Sequence, residues 1–313
     1  VCLACGYQDP RSFELPEATA HYEVVDPATM NDLRHQRPVR TPAVLVGQAI
    51  GDALGMPFEK LGDEVHPALA AWDGSYQPGT WHKLPAGHWT DDTEMAECLA
   101  TSLLACNGFD GLDVSRRYLA WSQATPHGMG GTTRAAMEKL ACGTDWRRSG
   151  IGFDDPNKVG SAPPMRAASI GVHFLNESSI LSACRQDAYI THADPEGVAA
   201  SFAVALLVHL VLQGIEPAAV LPFVLAAIAR AKLVSPSTLV ERGLSSAHTA
   251  LEIGHSPEQF TRECAGRRGN AWQITSSAIY CALWAPNFRD GVIAAVKIGG
   301  DADTRGAIAG AIL

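Results

Sequence analysis

From Val44 to the end of the chain, Ala, Leu, Val and Ile recur at helical spacing, and no run of β-branched residues alternates with polar ones. That pattern rules out an extensive sheet and predicts an all-α fold. Helices are expected over 43–55, 91–106, 113–124, 131–141, 166–174, 179–190, 195–213, 217–231, 237–252, 257–265, 271–284, 288–298 and 304–313. Pro and Gly clusters such as Gln77-Pro78-Gly79 and Ser161-Ala162-Pro163-Pro164 separate them. Gly47, Gly51 and Gly55 share one stripe of the first helix. Each glycine costs a helix about 1 kcal/mol against Ala, so three in register imply close approach by another backbone. The small-residue run Gly306-Ala307-Ile308-Ala309-Gly310-Ala311 is the expected partner.

Residues 1–42 are polar, rich in charge and proline, and without hydrophobic period; they are expected to form an extension preceding one helical domain over 43–313. Within the extension, Cys2-Leu3-Ala4-Cys5-Gly6 is half a zinc knuckle. No second C-x-x-C exists, and completion by His21 or His35 fits no standard finger, so a loose tail is the preferred reading. Cys98, Cys106, Cys142, Cys184, Cys264 and Cys281 lie in apolar helical sequence and are expected to be reduced core residues.

Lys and Arg total 24 against 33 Asp and Glu, a net charge of -9 that lacks the basic footprint of a nucleic-acid binder. Direct nucleic-acid binding is not expected. The most apolar stretch, Val198 to Leu212, is interrupted before the roughly 18 residues a membrane span needs, and reads as a buried helix. With no basic-then-apolar leader at the start, a cytoplasmic monomer is the expectation, with no membrane partner.

Two acidic clusters break the apolar pattern: Thr90-Asp91-Asp92-Thr93 and Gly299-Gly300-Asp301-Ala302-Asp303-Thr304. Carboxylates and hydroxyls are hard oxygen ligands that suit Mg²⁺, Mn²⁺ or Ca²⁺ better than zinc. Thr90 and Asp91 are also good helix N-caps, and Asp91 with Glu94 has capping-box spacing. A cap needs one acceptor, however, and Asp92 points about 100° away from Asp91 around a helix. An EF-hand fails because Ile312, not Glu, stands at loop position twelve from Asp301. A D-x-D-x-T phosphotransfer loop is disfavoured by the position of Thr304 and by the absence of an α/β pattern.

Six segments stand in a telling order: Gly51-Asp52-Ala53-Leu54-Gly55-Met56-Pro57-Phe58-Glu59, Trp89-Thr90-Asp91-Asp92-Thr93, Gly131-Thr132-Thr133-Arg134-Ala135-Ala136, Met165-Arg166-Ala167-Ala168, Thr191-His192-Ala193-Asp194-Pro195 and Gly299-Gly300-Asp301-Ala302-Asp303-Thr304. In this the chain resembles the ADP-ribosylglycohydrolases, including the dinitrogenase reductase-activating glycohydrolases, over roughly residues 43–313. The resemblance implies a compact multi-helix orthogonal bundle with two divalent cations, Mg²⁺ or Mn²⁺, in a central cleft. It implies Thr90, Asp91, Asp92, Asp301, Asp303 and Thr304 as metal ligands, and Asp92 or Glu59 as the group for acid/base work. Gly131, Thr132, Ser161, Met165 and His192 would contact substrate, which would be ADP-ribose or an ADP-ribosylated protein or small conjugate.

Two segments depart from the family pattern. Where many members carry Gly-Asn-Gly-Gly-Ala-Met-Arg, with backbone approaching a diphosphate, this chain has Gly160-Ser161-Ala162-Pro163-Pro164-Met165-Arg166, which lacks two backbone donors. Before Thr132 it has Gly128-Met129-Gly130-Gly131 where the nitrogenase-regulating members have an acidic residue; His127 beside this gap is a candidate substitute. The leading expectation is a metal-dependent hydrolase of the bond between ADP-ribose and an acceptor. The alternatives are a catalytically weak ADP-ribose or nucleotide binder, a structural protein on the same scaffold, or a hydrolase of another ribosyl or nucleoside substrate.

Overall fold

The most apolar helix, Pro195–Leu212, lies at the centre of the molecule with nearly every residue from Glu196 to His209 buried. Its 18 residues match a membrane span in length and composition, yet 83% of them are buried against neighbouring helices. Each fully buried Val, Leu or Phe here contributes about 1.5–3 kcal/mol relative to exposure. The computed structural model describes residues 42–60, 67–81, 83–124, 126–215, 217–233, 238–267 and 269–313. Cys2, Cys5, His21 and His35 fall outside the described residues.

In chain order the longer helices are α1 (42–55), α2 (Asp91–Cys106), α3 (Gly111–Gln123), α4 (Gly131–Ala141), α5 (Ala162–Arg166), α6 (Ala168–His173) and α7 (Glu177–Thr191). The central helix is α8, followed by α9 (Pro217–Ala231), α10 (Leu239–Glu252), α11 (Ala271–Trp284), α12 (Phe288–Lys297) and α13 (Ala302–Ile312). Among the described residues there is no strand, only the isolated bridges Ile151 to His192 and Gly160 to Asn270. The chain is all-α.

Helix α8 packs against α5, α6, α7, α9 and α11, and α13 packs on α11 and α12. Helix α1 lies along α13 through the glycine stripe. A Cβ at Gly47, Gly51 or Gly55 would overlap the carbonyl oxygens of Gly310, Gly306 or Ala302. The two backbones therefore touch with no side chain between them. This contact carries the start of α13, with Asp303, toward α1.

The structure corrects several local expectations. The helix expected over 166–174 is shorter, Ala168–His173, with Arg166 ending the preceding α5, and Pro163 and Pro164 lie inside the first turn of α5 rather than in a linker. A helix's first-turn N–H groups have no intrahelical partner, so proline is tolerated there. The helix expected over 257–265 is α-helical only to Phe260 and continues as a π-helical turn over Thr261–Ala265. All six described cysteines are free. Cys184 and Cys281 are buried as expected, but Cys106 ends α2 and Cys142 caps α4, and both are exposed.

Candidate metal and substrate site

The N-terminus of α2 and the turn before α13 meet at the floor of one cavity of about 440 Å³. Asp91 and Asp92 are the first two residues of α2, where unpaired backbone N–H groups favour negative charge. Thr90 occupies the N-cap position, but its side chain does not cap the helix. The cap comes from α1. One Asp52 oxygen, Oδ2, accepts the Thr93 N–H at 3.1 Å and the Thr93 hydroxyl at 2.6 Å. Both Asp52 oxygens accept the Thr90 N–H, at 3.1 and 3.0 Å, and Oδ1 lies 2.9 Å from Thr90 Oγ1. The capping-box spacing of Asp91 and Glu94 is not used as a cap, because the Glu94 carboxylate accepts the Trp121 indole N–H at 2.7 Å. Asp52 is the functional residue that local sequence reasoning missed; its only signal was membership of the Gly51-to-Glu59 segment.

A second buried side chain, Gln48, ties the floor to the wall. Its Nε2 donates to the carbonyl oxygens of Asp92 and Met165, both at 2.9 Å. On the other side, Gly299 and Gly300 turn the chain with φ values of 81° and 68°, which L side chains rarely adopt. Thr304 Oγ1 donates to Asp301 Oδ1 at 3.1 Å, Ser161 Oγ to Asp301 Oδ2 at 2.9 Å, and the Thr304 N–H to Asp303 Oδ1 at 3.0 Å. The buried Arg305 guanidinium fixes the turn through the Gly299 carbonyl at 2.6 Å.

Carboxylate oxygens of Asp52, Asp92 and Asp303 lie within 4.8 Å of one another, and so do those of Glu59, Asp301 and Asp303. Asp303 belongs to both groups. Burial pushes the carboxyls of Asp91, Asp92 and Asp303 well above the ordinary carboxylate range, and neighbouring carboxylates, including Asp52 and Glu59, push them further. Asp301 is raised by burial and by Glu59. Asp52 is pushed up only to about 6, because the Thr90 and Thr93 donors counter its burial. Asp92 Oδ1 is buried with no hydrogen-bond partner among the described residues. Clustered buried carboxylates with a bare oxygen fit hard divalent cations, which would replace the missing bonds and cancel the repulsion.

Of the residues expected to touch substrate, Gly131, Thr132, Ser161, Met165 and His192 all line the cavity, as do Glu59 and Thr304. Ser161 is committed to Asp301, and Met165 presents little surface, with 3% exposure. Gly128 also lines the wall, at φ 97°, and a Cβ there would overlap Asp91 Oδ1. His127 contributes its carbonyl oxygen, which accepts the Asp91 N–H at 2.8 Å; its ring is not in the cavity wall.

His192 is buried, stacked on Phe153 with centroids 5.7 Å apart, and its pKa is pushed down to about 3 by burial and by Arg166. It is a neutral imidazole. Fully buried Arg166 pairs with Asp187 at 2.8 Å, and Tyr118 donates to the same carboxylate at 2.8 Å. Arg166 also donates to Thr191 Oγ1 at 3.0 Å, and His192 Nδ1 shares a hydrogen bond with the same oxygen, 3.0 Å away. The other ring nitrogen, Nε2, faces the Gly160 edge of the cavity, where a ligand can reach it.

Residues 34–313 match the family model of the ADP-ribosylglycohydrolases, a match that begins inside the segment read as an extension. An uncharacterized protein of Archaeoglobus fulgidus is 30% identical over 270 residues, covering 86% of this chain and 84% of that one. ADP-ribosylarginine hydrolase Tri1 of Pseudomonas putida is 27% identical over 288 residues, covering 87% and 68%. ADP-ribosylhydrolase ARH3 of Homo sapiens is 26% identical over 300 residues, covering 86% and 82%. Among solved structures, an ADP-ribosylglycohydrolase-related protein complex superposes with a TM-score of 0.63 at 31% identity, covering 89% of this chain and 87% of the other. The helical fold and the acid-floored cavity define a hydrolase scaffold, and the chain belongs to the ADP-ribosylglycohydrolase family.

Proposed function

We propose that this enzyme is a metal-dependent hydrolase that cleaves the glycosidic bond between ADP-ribose and an acceptor side chain or small conjugate. The observation that carries this reading is the pair of carboxylate groups sharing Asp303 at the cavity floor. Thr90, Asp91, Asp92, Asp301, Asp303 and Thr304 would hold two ions, Mg²⁺ or Mn²⁺. Bound there, such ions orient ribose hydroxyls and make a water more acidic.

Asp52 is a positioning residue. A threonine hydroxyl has one proton, and Asp52 Oδ1, 2.9 Å from Thr90 Oγ1, takes it in preference to Asp92 Oδ2 at 3.2 Å. Thr90 Oγ1 is thereby left with lone pairs facing Asp92, as a ligand requires. Glu59, in the cavity lining, would be the general acid/base: water adds to the anomeric carbon and loses a proton, the bond to the acceptor breaks with both electrons on the acceptor atom, and Glu59 passes a proton to that atom. Asp92 serves the cations and offsets positive charge developing on the ribose. His192 Nε2 would share a hydrogen bond with a hydroxyl of the bound sugar.

The test is release of free ADP-ribose from arginine-linked, serine-linked and nucleic-acid-linked conjugates with Mg²⁺ or Mn²⁺ and with chelator. Turnover with metal, lost in chelator and in Asp303→Asn, is the expected result; equal turnover by Asp303→Asn sinks the reading. A second reading, an ADP-ribose binder without turnover, draws on Pro163 and Pro164, which remove two first-turn donors beside the site. Retained ADP-ribose binding with no turnover of any conjugate would select it.

A further inference from the structure

The charge on the cavity wall is divided. Its floor carries Glu59, Asp91, Asp92, Asp301 and Asp303, whereas Lys60 and Arg267 are the cationic side chains among the lining residues. Both are anchored to the turn that delivers the second acidic cluster. The Lys60 N–H donates to the Gly300 carbonyl at 3.2 Å, and Arg267 Nε donates to the Ile298 carbonyl at 3.0 Å. The Arg267 backbone also presses on Gly300, where a Cβ would overlap the Arg267 carbonyl oxygen.

Lys60 is held at φ 60°, a left-handed conformation that glycine adopts at lower cost. Its ammonium lies 4.5 Å from the centroid of the Trp81 ring and 3.3 Å from Glu59, with the side chain 52% exposed. It is steered to the cavity yet open to a ligand. Arg267 spends Nε on the turn, and its two terminal nitrogens carry no bond among the described residues. A substrate bearing a diphosphate meets repulsion from this acidic floor, so its anionic half needs a cationic counterpart in the wall.

We infer that Lys60 and Arg267 form an anion-binding rim that holds the diphosphate of an ADP-ribosyl substrate. This deepens the proposed function and rests on it. The rim determines affinity for the nucleotide half of the substrate, while the acidic floor acts on the ribose.

The experiment is calorimetric titration of ADP-ribose and of adenosine, in Mg²⁺ buffer at low and high NaCl. The proteins are wild type, Lys60→Met, Arg267→Met, the double variant, and the charge-retaining Lys60→Arg and Arg267→Lys. Each Met variant is expected to weaken ADP-ribose binding roughly tenfold and the double variant further, since a hydrogen-bonded charge is removed each time. Adenosine binding stays as in wild type, the charge-retaining variants recover most of the loss, and salt weakens wild type more steeply than the double variant. Wild-type ADP-ribose affinity in the double variant, or parallel loss of adenosine, overturns the rim while leaving the hydrolase reading intact. A wild-type chain that neither binds ADP-ribose nor releases it from conjugates overturns both.

Discussion

The two acidic clusters deliver their carboxylates to the same cavity floor by different physical means. At the start of α2, the local backbone does not complete the site. Asp52, on α1 and 38 residues from Thr90, accepts the N–H and hydroxyl groups that fix the cluster. At the start of α13 the geometry is largely self-made: two left-handed glycines turn the chain, Thr304 orients Asp301, and Arg305 clamps Gly299. The α2 half is fixed by a carboxylate from another helix, whereas the α13 half is shaped by its own Gly299-Gly300 turn and docked against α1 by the glycine stripe. Remote capping also recurs away from the site, where Glu196 accepts the Val240 N–H at 3.1 Å at the start of α10. A carboxylate supplied from another helix is thus a repeated device of this fold.

The difference is broken most severely at Asp52. Asp52→Ala leaves the buried donors of Thr90 and Thr93 unsatisfied, and an outer partner of metal ligands typically contributes 10–100-fold in affinity, so Mn²⁺ affinity should fall by about that factor. Calorimetric Mn²⁺ titration measures it; wild-type affinity would show that α2 holds its own ligands. Gly300→Ala attacks the other half, forcing alanine to φ 68° against the Arg267 carbonyl, and should cost at least about 1–3 kcal/mol in urea unfolding. An unchanged midpoint would mean that the turn relaxes without loss.

A pH comparison sharpens the electrostatic side. Asp52 titrates near 6 in the folded protein against 3.8 ordinarily, and Asp91, Asp92 and Asp303 are raised further by burial. A raised carboxyl binds more protons folded than unfolded, so its contribution is present below 3.8 and is lost as pH rises through the folded value. His192 has the opposite sign, losing stability as pH falls below 6.5 toward 3. Addition of Mg²⁺ or Mn²⁺ should therefore raise the Tm more at pH 7.5 than at pH 5, where protons compete for the carboxylates. An equal rise at both pH values would contradict this. The smallest effect is expected for Ser161→Ala, which removes one bond to Asp301 and should cost about 1 kcal/mol, read as a slightly lower urea midpoint.

Much of this was legible in the sequence. Helical periodicity fixes the fold class, the register of Gly47, Gly51 and Gly55 announces the contact with α13, and the paired clusters mark the floor. Asp52 was not legible as a cap, because capping rules are local and its partners lie on another helix. The local rule chose Thr90, and a tertiary carboxylate displaced it. Lys60 and Arg267 were hidden for a related reason: each is one charge among many until the fold ties both to the Gly299-Gly300 turn. Pro163 and Pro164 read as a linker, since only the packed wall shows that they fill the first turn of a helix.

The central claim is that the two clusters act as one centre, with Asp303 common to both halves. Equilibrium dialysis of Mn²⁺ with electron paramagnetic resonance tests it on wild type, Asp92→Asn and Asp303→Asn. Two ions per wild-type chain with spin-coupled spectra, and loss of that coupling in either variant, is the predicted result. Uncoupled binding in wild type, or stoichiometry and spectra unchanged by both substitutions, would contradict it.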